Sequence, residues 1–208
     1  MELYRHEDYN LYIGLQQKLT GRKTQRGKIC LSFVDQVQIM AINDLIHSFV
    51  KEVKTIVRHG CRSGFEVDAL HKLNPDAKVF GTDVYWKGYK YDREYFRSMD
   101  FDIVPPEWIG YFDVVYSNAI DHSRNPINTL TLWKSELSKD GIICVNYYWG
   151  RGIDKENCFN LDKHRYMEEI EEISKTIGMK TLYVSPTFTY ARRRYFAEVI
   201  MGNMDEYC

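Results

Sequence analysis

From Lys54 onward, short apolar strand-like runs alternate with amphipathic helical stretches, and this alternation limits the chain to very few folds. Thr55-Ile56-Val57 is a compact apolar run. Phe65 to Leu73 reads as a helix, ended by Asn74-Pro75-Asp76. Lys78 to Val84 is a second strand, and a weaker extended stretch ends near Asp100 to Val104. Phe112 to Ser117 is strongly apolar. Pro126 to Ser138 is a helix stopped by the turn Lys139-Asp140-Gly141, and Ile142 to Tyr148 is a buried strand. Leu161 to Ile177 is a helix with Gly178 at its C-terminal end. Thr181 to Val184 and Tyr195 to Met201 close the series. The pattern predicts an α/β fold with a doubly wound, mostly parallel sheet of seven strands. The last two strands have no helix between them, so they should be antiparallel.

Ahead of Lys54, Leu3 to Leu19 reads as a helix of mixed polarity. Val34, Val37, Ala41, Leu45 and Phe49 keep helical spacing, with Asp35 in the first turn. Between these helices, Lys18 to Lys28 holds five basic residues, two glycines and no acid. It reads as a mobile turn, either a solvated loop or a cap over an anionic ligand. Residues 1–50 are thus expected to form a helical extension or cap, and 51–208 the ligand-binding domain.

The five cysteines, Cys30, Cys61, Cys144, Cys158 and Cys208, are scattered and form no CxxC pair. Free thiols in a reducing compartment fit this better than a disulfide framework or a metal site. No apolar run reaches the roughly 20 residues that span a bilayer. Met1 to Asn10 alternates charged and aromatic residues, unlike a signal peptide. A cytoplasmic protein without membrane contact is expected. A net charge of −1 argues against a nucleic-acid binder, which carries a basic excess.

In an open α/β sheet, ligands bind beyond the C-terminal strand ends, so the residues there carry the chemistry. His59-Gly60-Cys61-Arg62-Ser63-Gly64 follows the first strand and runs into a helix. Glycines let backbone approach a ligand, and the helix N-terminus offers free N–H groups to an anion. Alone, such a turn is equally at home with no ligand. About twenty residues beyond Gly64, Asp83 closes the second strand, where a carboxylate accepts hydrogen bonds from both ribose hydroxyls. The two features together point to an adenosine-containing ligand.

With these residues the sequence resembles the class I S-adenosylmethionine-dependent methyltransferases, over roughly Lys54 to Gly202. The glycine turn, with Gly60, Cys61, Arg62 and Gly64, is similar to the family's first motif. Asp83 matches the ribose-binding acid, and the resemblance implies that Val84 packs on the adenine. Met99-Asp100-Phe101-Asp102 is similar to the third motif, where an acid, here Asp100, meets the adenine amino group beside Phe101. Phe112 to Asn118, followed by Ala119-Ile120-Asp121-His122-Ser123-Arg124-Asn125-Pro126, looks like the fourth motif. Leu137 to Ile143 resembles the helix, turn and fifth strand that follow. The resemblance implies S-adenosylmethionine as cofactor.

Two positions depart from the family. Its first motif begins with an acid, and Arg58 stands there; its middle glycine is Arg62. The resemblance implies that Glu66 or Asp121 replaces the acid or that cofactor affinity suffers, and that Arg62 can meet the methionine carboxylate. Asp121 and His122 follow the fourth strand, where the methyl group would be delivered. One reading makes His122 a general base oriented by Asp121, a task suited to histidine at neutral pH. The other makes Asp121 a turn cap and His122 a packing residue.

Arg192-Arg193-Arg194 is a solvated hairpin or an anion-recognition site. Trp149-Gly150-Arg151-Gly152, with Tyr147 and Tyr148, borders the same pocket. The chain is too short for a separate substrate domain, which favours a small polar or phosphorylated acceptor, such as a sugar or nucleotide sugar. Two other classes compete. A nicotinamide-dependent oxidoreductase shares the glycine turn and ribose acid, but the full G-x-G-x-x-G and a Tyr-x-x-x-Lys pair are missing. A non-catalytic module that binds an adenosyl ligand is favoured by Arg58.

Overall fold

The computed structural model describes residues 2–3, 8–25, 34–85, 95–149, 153, 158–162, 164–186, 188–190 and 194–203. Strand β1 (Glu2–Leu3) is followed by helices α1 (Tyr9–Gln25) and α2 (Gln36–Phe49). Then come β2 (Thr55–His59), α3 (Phe65–Leu73), β3 (Lys78–Asp83), β4 (Phe96–Ser98) and β5 (Phe112–Ser117). Next are α4 (Pro126–Glu136), β6 (Leu137–Trp149), β7 (Phe159–Asn160) and α5 (Tyr166–Thr176). The described chain closes with β8 (Met179–Val184), β9 (Phe188–Tyr190) and β10 (Arg194–Asn203).

The main sheet has the order β4-β3-β2-β5-β6-β10-β8, with β9 added on β10. Its β4, β3, β2, β5 and β6 neighbours pair in parallel. β10 runs antiparallel to both β6 and β8, as expected of a strand entered without a helix. Each sheet face carries its own core. Val57, Val115, Ile143 and Val199 pack with Leu130, Trp133, Ile170 and Ile173 of α4 and α5. Ile56, Val114, Tyr116 and Ile142 pack with Ile39, Ile42, Ile46 and Leu70 of α2 and α3.

Several expectations are corrected. The buried stripe of α2 is Ile39, Ile42 and Ile46, not the expected stripe through Val37 and Ala41, and Val37 is 74% exposed. Both stripes keep helical spacing, and the isoleucines remove more apolar area from water. Asp35 is the N-cap of α2: it accepts from the Gln38 N–H at 2.9 Å while Gln38 Oε1 accepts from the Asp35 N–H. The expected turn at Lys18 is helical through Gln25, because Lys, Arg and Gln favour helix and one interior glycine costs only about 1 kcal/mol. Residues 26–28 of that basic segment lie outside the described residues.

Lys139-Asp140-Gly141 is not a turn but part of β6. Pairing with β5 jumps there from Phe112↔Leu137 to Val114↔Ile142, so the turn-forming residues are accommodated as an irregularity. A Cβ at Gly141 would lie 2.7 Å from the Phe112 carbonyl oxygen. The weaker stretch expected to end near Asp100 to Val104 is β4, Phe96–Ser98, which stops just before Asp100, where the Asp100 side chain accepts the Asp102 N–H at 3.1 Å and turns the chain. α5 starts at Tyr166 rather than Leu161.

Candidate functional site

β2 sends its crossover to β3 on one side, while β5 flanks it on the other. Strand order reverses between β2 and β5, which opens a crevice above their C-terminal ends. Gly60, Arg62 and Gly64 line it with φ of 70°, 48° and 84°, three left-handed residues in one turn. A Cβ at Gly60 would lie 2.7 Å from Ala119 Cβ, so only glycine fits. Asp83 holds the turn: Oδ2 accepts from the Arg62 N–H at 2.7 Å and Oδ1 from the Tyr85 N–H at 2.8 Å. Each of its oxygens keeps a lone pair for a further donor. The Cys61 side chain points away: its Sγ faces Gly81 on β3, and its N–H donates to Thr82 O at 2.8 Å.

Beneath the turn lies a buried charged network. Arg58 is 2% exposed and Glu66 is 5% exposed. The Arg58 guanidinium donates to Glu66 through Nε, to the His59 carbonyl through Nη1 and to Asn118 Oδ1 through Nη2. Asn118 Nδ2 donates to Glu66 Oε1 at 2.9 Å, closing the ring. The guanidinium carbon also stands 5.3 Å from the Tyr116 ring centre. Burial pushes the Arg58 pKa down, and the Glu66 carboxylate more than reverses this, so Arg58 stays charged. Glu66 is therefore committed to Arg58, and the Asn118 side chain is held in the same ring. For Arg62, burial is the largest influence and lowers its pKa, against the charges of Asp83, Glu66 and Asp121.

α1 lies across the strand ends. Tyr9 Oη donates to Asp100 Oδ2, Tyr12 Oη to the His122 carbonyl, and Gln17 Nε2 to the Val84 carbonyl at 3.2 Å. The Arg124 guanidinium carbon sits 4.4 Å from the Tyr9 ring centre and 5.4 Å from that of Tyr12. Burial and the Asp100 carboxylate push the Tyr9 phenol upward, so it acts as a donor. Phe101 reaches toward Gly60, packs edge-on against Trp133 and accepts the Trp133 Nε1–H at 2.9 Å on its carbonyl.

Asp121 and His122 occupy a short 3-10 turn beyond β5. Asp121 is buried, and its Oδ1 has no hydrogen-bond partner, so that oxygen does not orient the His122 ring. His122 is half-buried.

Thus Gly60, Arg62, Gly64, Asp83, Val84, Asp100, Phe101, Asn118, Asp121 and His122 gather at one end of the sheet. The contacts from Tyr9, Tyr12 and Arg124 are additional; only the placement of Tyr9 and Tyr12 one helical turn apart hints at them in the sequence. A second buried pair is also additional. His59 Nε2 lies 2.8 Å from Glu136 Oε2, and the ring stacks on Trp133 with centres 4.9 Å apart. Among the described residues, no group of three or more His, Cys, Asp or Glu is placed to hold a metal ion. None of the described helices is long and apolar enough to cross a membrane. Gly150, Arg151, Gly152, Arg192 and Arg193 lie outside the described residues.

Burial raises the Asp102 pKa from its ordinary 3.8 to about 6, although a hydrogen bond from Thr129 Oγ1 opposes the shift. A carboxyl with a raised folded-state pKa stabilises below its unfolded value and loses that contribution as pH rises through the folded value. Asp102→Asn is therefore expected to be more stable than the parent by about 1–2 kcal/mol above pH ~7, with the advantage vanishing near pH ~4. Urea unfolding of both proteins across that window checks this; a pH-independent difference would contradict it.

The sequence matches no protein-family model and no curated protein. Solved structures do match. A Burkholderia thailandensis 1,6-didemethyltoxoflavin-N1-methyltransferase, bound to 1,6-didemethyltoxoflavin and S-adenosylhomocysteine, superposes with a TM-score of 0.72 at 10% identity. The match covers 97% of this chain and 93% of that one. A magnesium protoporphyrin IX methyltransferase from Synechocystis PCC 6803, with bound S-adenosylhomocysteine, gives 0.63 at 12% identity over 94% of this chain and 100% of that one. The [4+2]-cyclase SpnF gives 0.59 at 12% identity over 78% of this chain and 80% of that one. The chain therefore has the Rossmann-like fold of class I methyltransferases.

Proposed function

We propose that the chain is an S-adenosylmethionine-dependent methyltransferase acting on a small polar or phosphorylated metabolite, such as a sugar or nucleotide sugar. The observation that carries this reading is the pair Asp83 and Asp100, at neighbouring strand ends beside a left-handed glycine turn at the point where strand order reverses. Asp83 suits a ribose diol, since each oxygen has a spare lone pair. Asp100, beside Phe101, suits the adenine amino group. Gly60 and Gly64 let the backbone approach the ligand, and Val84 offers an apolar surface. α1 acts as the cap, bonded to the segments that follow β3, β4 and β5.

When bound, S-adenosylmethionine supplies a methyl group on a positively charged sulfur, which an acceptor atom attacks in line. The protein's work is to fix that acceptor and to take its proton. His122 stands at the crevice edge for the second task. Small-molecule methyltransferases among the structural neighbours support a small acceptor.

Asp83→Ala is expected to weaken S-adenosylhomocysteine binding by about 1.5–3 kcal/mol, the range for lost hydrogen bonds to a charged group. Calorimetry with S-adenosylhomocysteine and NAD, on parent and variant, tests this. Preference for NAD would favour a nicotinamide oxidoreductase, and unchanged affinity in the variant would sink the ribose assignment. One second reading is a chain that binds an adenosyl ligand without transferring methyl; the [4+2]-cyclase shows this fold in a protein named for another reaction. Radiolabelled methyl transfer in an acceptor screen separates the two.

A further inference from the structure

Arg124 stands between α1 and the turn that follows β5 with its hydrogen-bond donors uncommitted. Its guanidinium carbon lies 4.4 Å from the Tyr9 ring centre and 5.4 Å from that of Tyr12, so two rings of α1 hold it. Among the described residues it makes no hydrogen bond and no ion pair. Buried Arg58, in contrast, donates through all three of its nitrogens. The carboxylates nearest Arg124 are engaged elsewhere: Asp100 accepts the Tyr9 hydroxyl and the Asp102 N–H, and Asp102 accepts the Thr129 hydroxyl. Arg124 is half-buried, and of its nitrogens only Nε is sealed without a partner, so Nη1 and Nη2 keep accessible surface.

The backbone on both sides of Arg124 is fixed. Ser123 Oγ lies 2.7 Å from Thr129 Oγ1 and accepts the Asn125 N–H at 3.1 Å, while Asn125 caps α4 by accepting the Asn128 N–H at 3.2 Å. Two residues before Arg124, the His122 carbonyl accepts the Tyr12 hydroxyl. A long, flexible cation is thus held in one place close to His122. A guanidinium fork matches the paired oxygens of a carboxylate or phosphate, and one already ordered loses less side-chain entropy on binding. With Nε closed, the open edge is the Nη1–Nη2 pair, which meets two oxygens of one oxyanion end-on. We propose that Arg124 recognises an anionic group, a phosphate or a carboxylate, carried by the methyl acceptor, and so positions that acceptor against His122. This rests on the methyltransferase reading above and narrows its acceptor to an anionic one.

The test uses inorganic phosphate and acetate as probes on the full chain, with and without saturating S-adenosylhomocysteine. Phenylglyoxal labelling, mapped by peptide mass spectrometry, reads each arginine separately and needs no variant. Arg124 should label in the parent, and a saturating probe should slow that labelling severalfold. Arg165, exposed and paired with Glu168, should label at an unchanged rate. Stronger protection by phosphate assigns a phosphorylated acceptor, and stronger protection by acetate a carboxylate. Calorimetry on Arg124→Gln should show phosphate binding at least about tenfold weaker, with S-adenosylhomocysteine affinity within about twofold of the parent. Arg124→Lys, which keeps the charge against the rings but not the fork, should fall between. An Arg124 that does not label, or labels equally fast with either probe, would overturn the proposal. Parallel losses of phosphate and S-adenosylhomocysteine affinity in Arg124→Gln would make Arg124 a pin for α1 and overturn it too, leaving the methyltransferase reading intact. A parent that binds no S-adenosylhomocysteine would overturn that reading and the acceptor assignment with it, while the arm without nucleoside separately reports whether Arg124 holds an oxyanion.

Discussion

Glu66→Ala is expected to lower the unfolding free energy by about 3–5 kcal/mol, the cost of removing one partner from a buried ion pair. Whole-domain stability is about 5–15 kcal/mol, so the variant should stand close to unfolding. The cause is the uncompensated guanidinium. Arg58 is inside the sheet and packed against Tyr116, and its charge is met by Glu66. Without Glu66, Asn118 and the His59 carbonyl supply only neutral acceptors. Arg58→Glu, which restores the acid of the methyltransferase pattern, should be worse still, because it places a second carboxylate against Glu66. A cycle of Arg58→Leu, Glu66→Leu and the double variant should recover much of the loss in the double, where no buried charge is left unpaired. Urea unfolding measures each. A Glu66→Ala variant within about 1 kcal/mol of the parent would mean that water reaches the guanidinium and that the network is not a sealed one.

The sequence states Arg58 as a departure but not its consequence. Glu66 and Asp121 both qualify there as replacement acids. Only the fold shows that Glu66, eight residues on and in the first turn of α3, reaches back to Arg58, while Asp121 keeps a bare oxygen. Pairings of this kind depend on how the turn bends, and the left-handed Arg62 is invisible in residue order.

Elements bounded by clear stops are the legible ones. Phe65–Leu73 is a helix ending at Asn74, and Phe112–Ser117 is a strand buried in the sheet, both as read from sequence. Elements fail where two physical signals compete. α2 carries two apolar stripes of like spacing, and residue size decides between them. Lys139-Asp140-Gly141 has turn chemistry, but the pairing of Leu137 with Phe112 of β5 carries β6 across it, while β10 pairs with β6 from Ile142 onward. The cap contacts are less legible again, since Tyr9 and Tyr12 reach residues roughly a hundred positions away and nothing local marks their partners.

His122 carries the largest expected kinetic effect. For a hydroxyl acceptor, which loses its proton as it attacks, His122→Ala should lower kcat by about 10²–10⁴-fold. S-adenosylhomocysteine affinity should be unchanged, because the Tyr12 contact goes to the His122 backbone carbonyl and survives any side-chain replacement. His122→Asn should be as slow as the alanine variant, since it keeps polarity but cannot take a proton. The limb of the kcat/KM pH profile that belongs to the base should disappear in both. An amine acceptor already deprotonated by solvent would need no base, and the variants would then be nearly as fast as the parent. Single-turnover rates with an acceptor from the screen, beside calorimetry on the same preparations, distinguish these cases. Lower affinity with normal turnover at saturation would make His122 a residue that packs against the ligand.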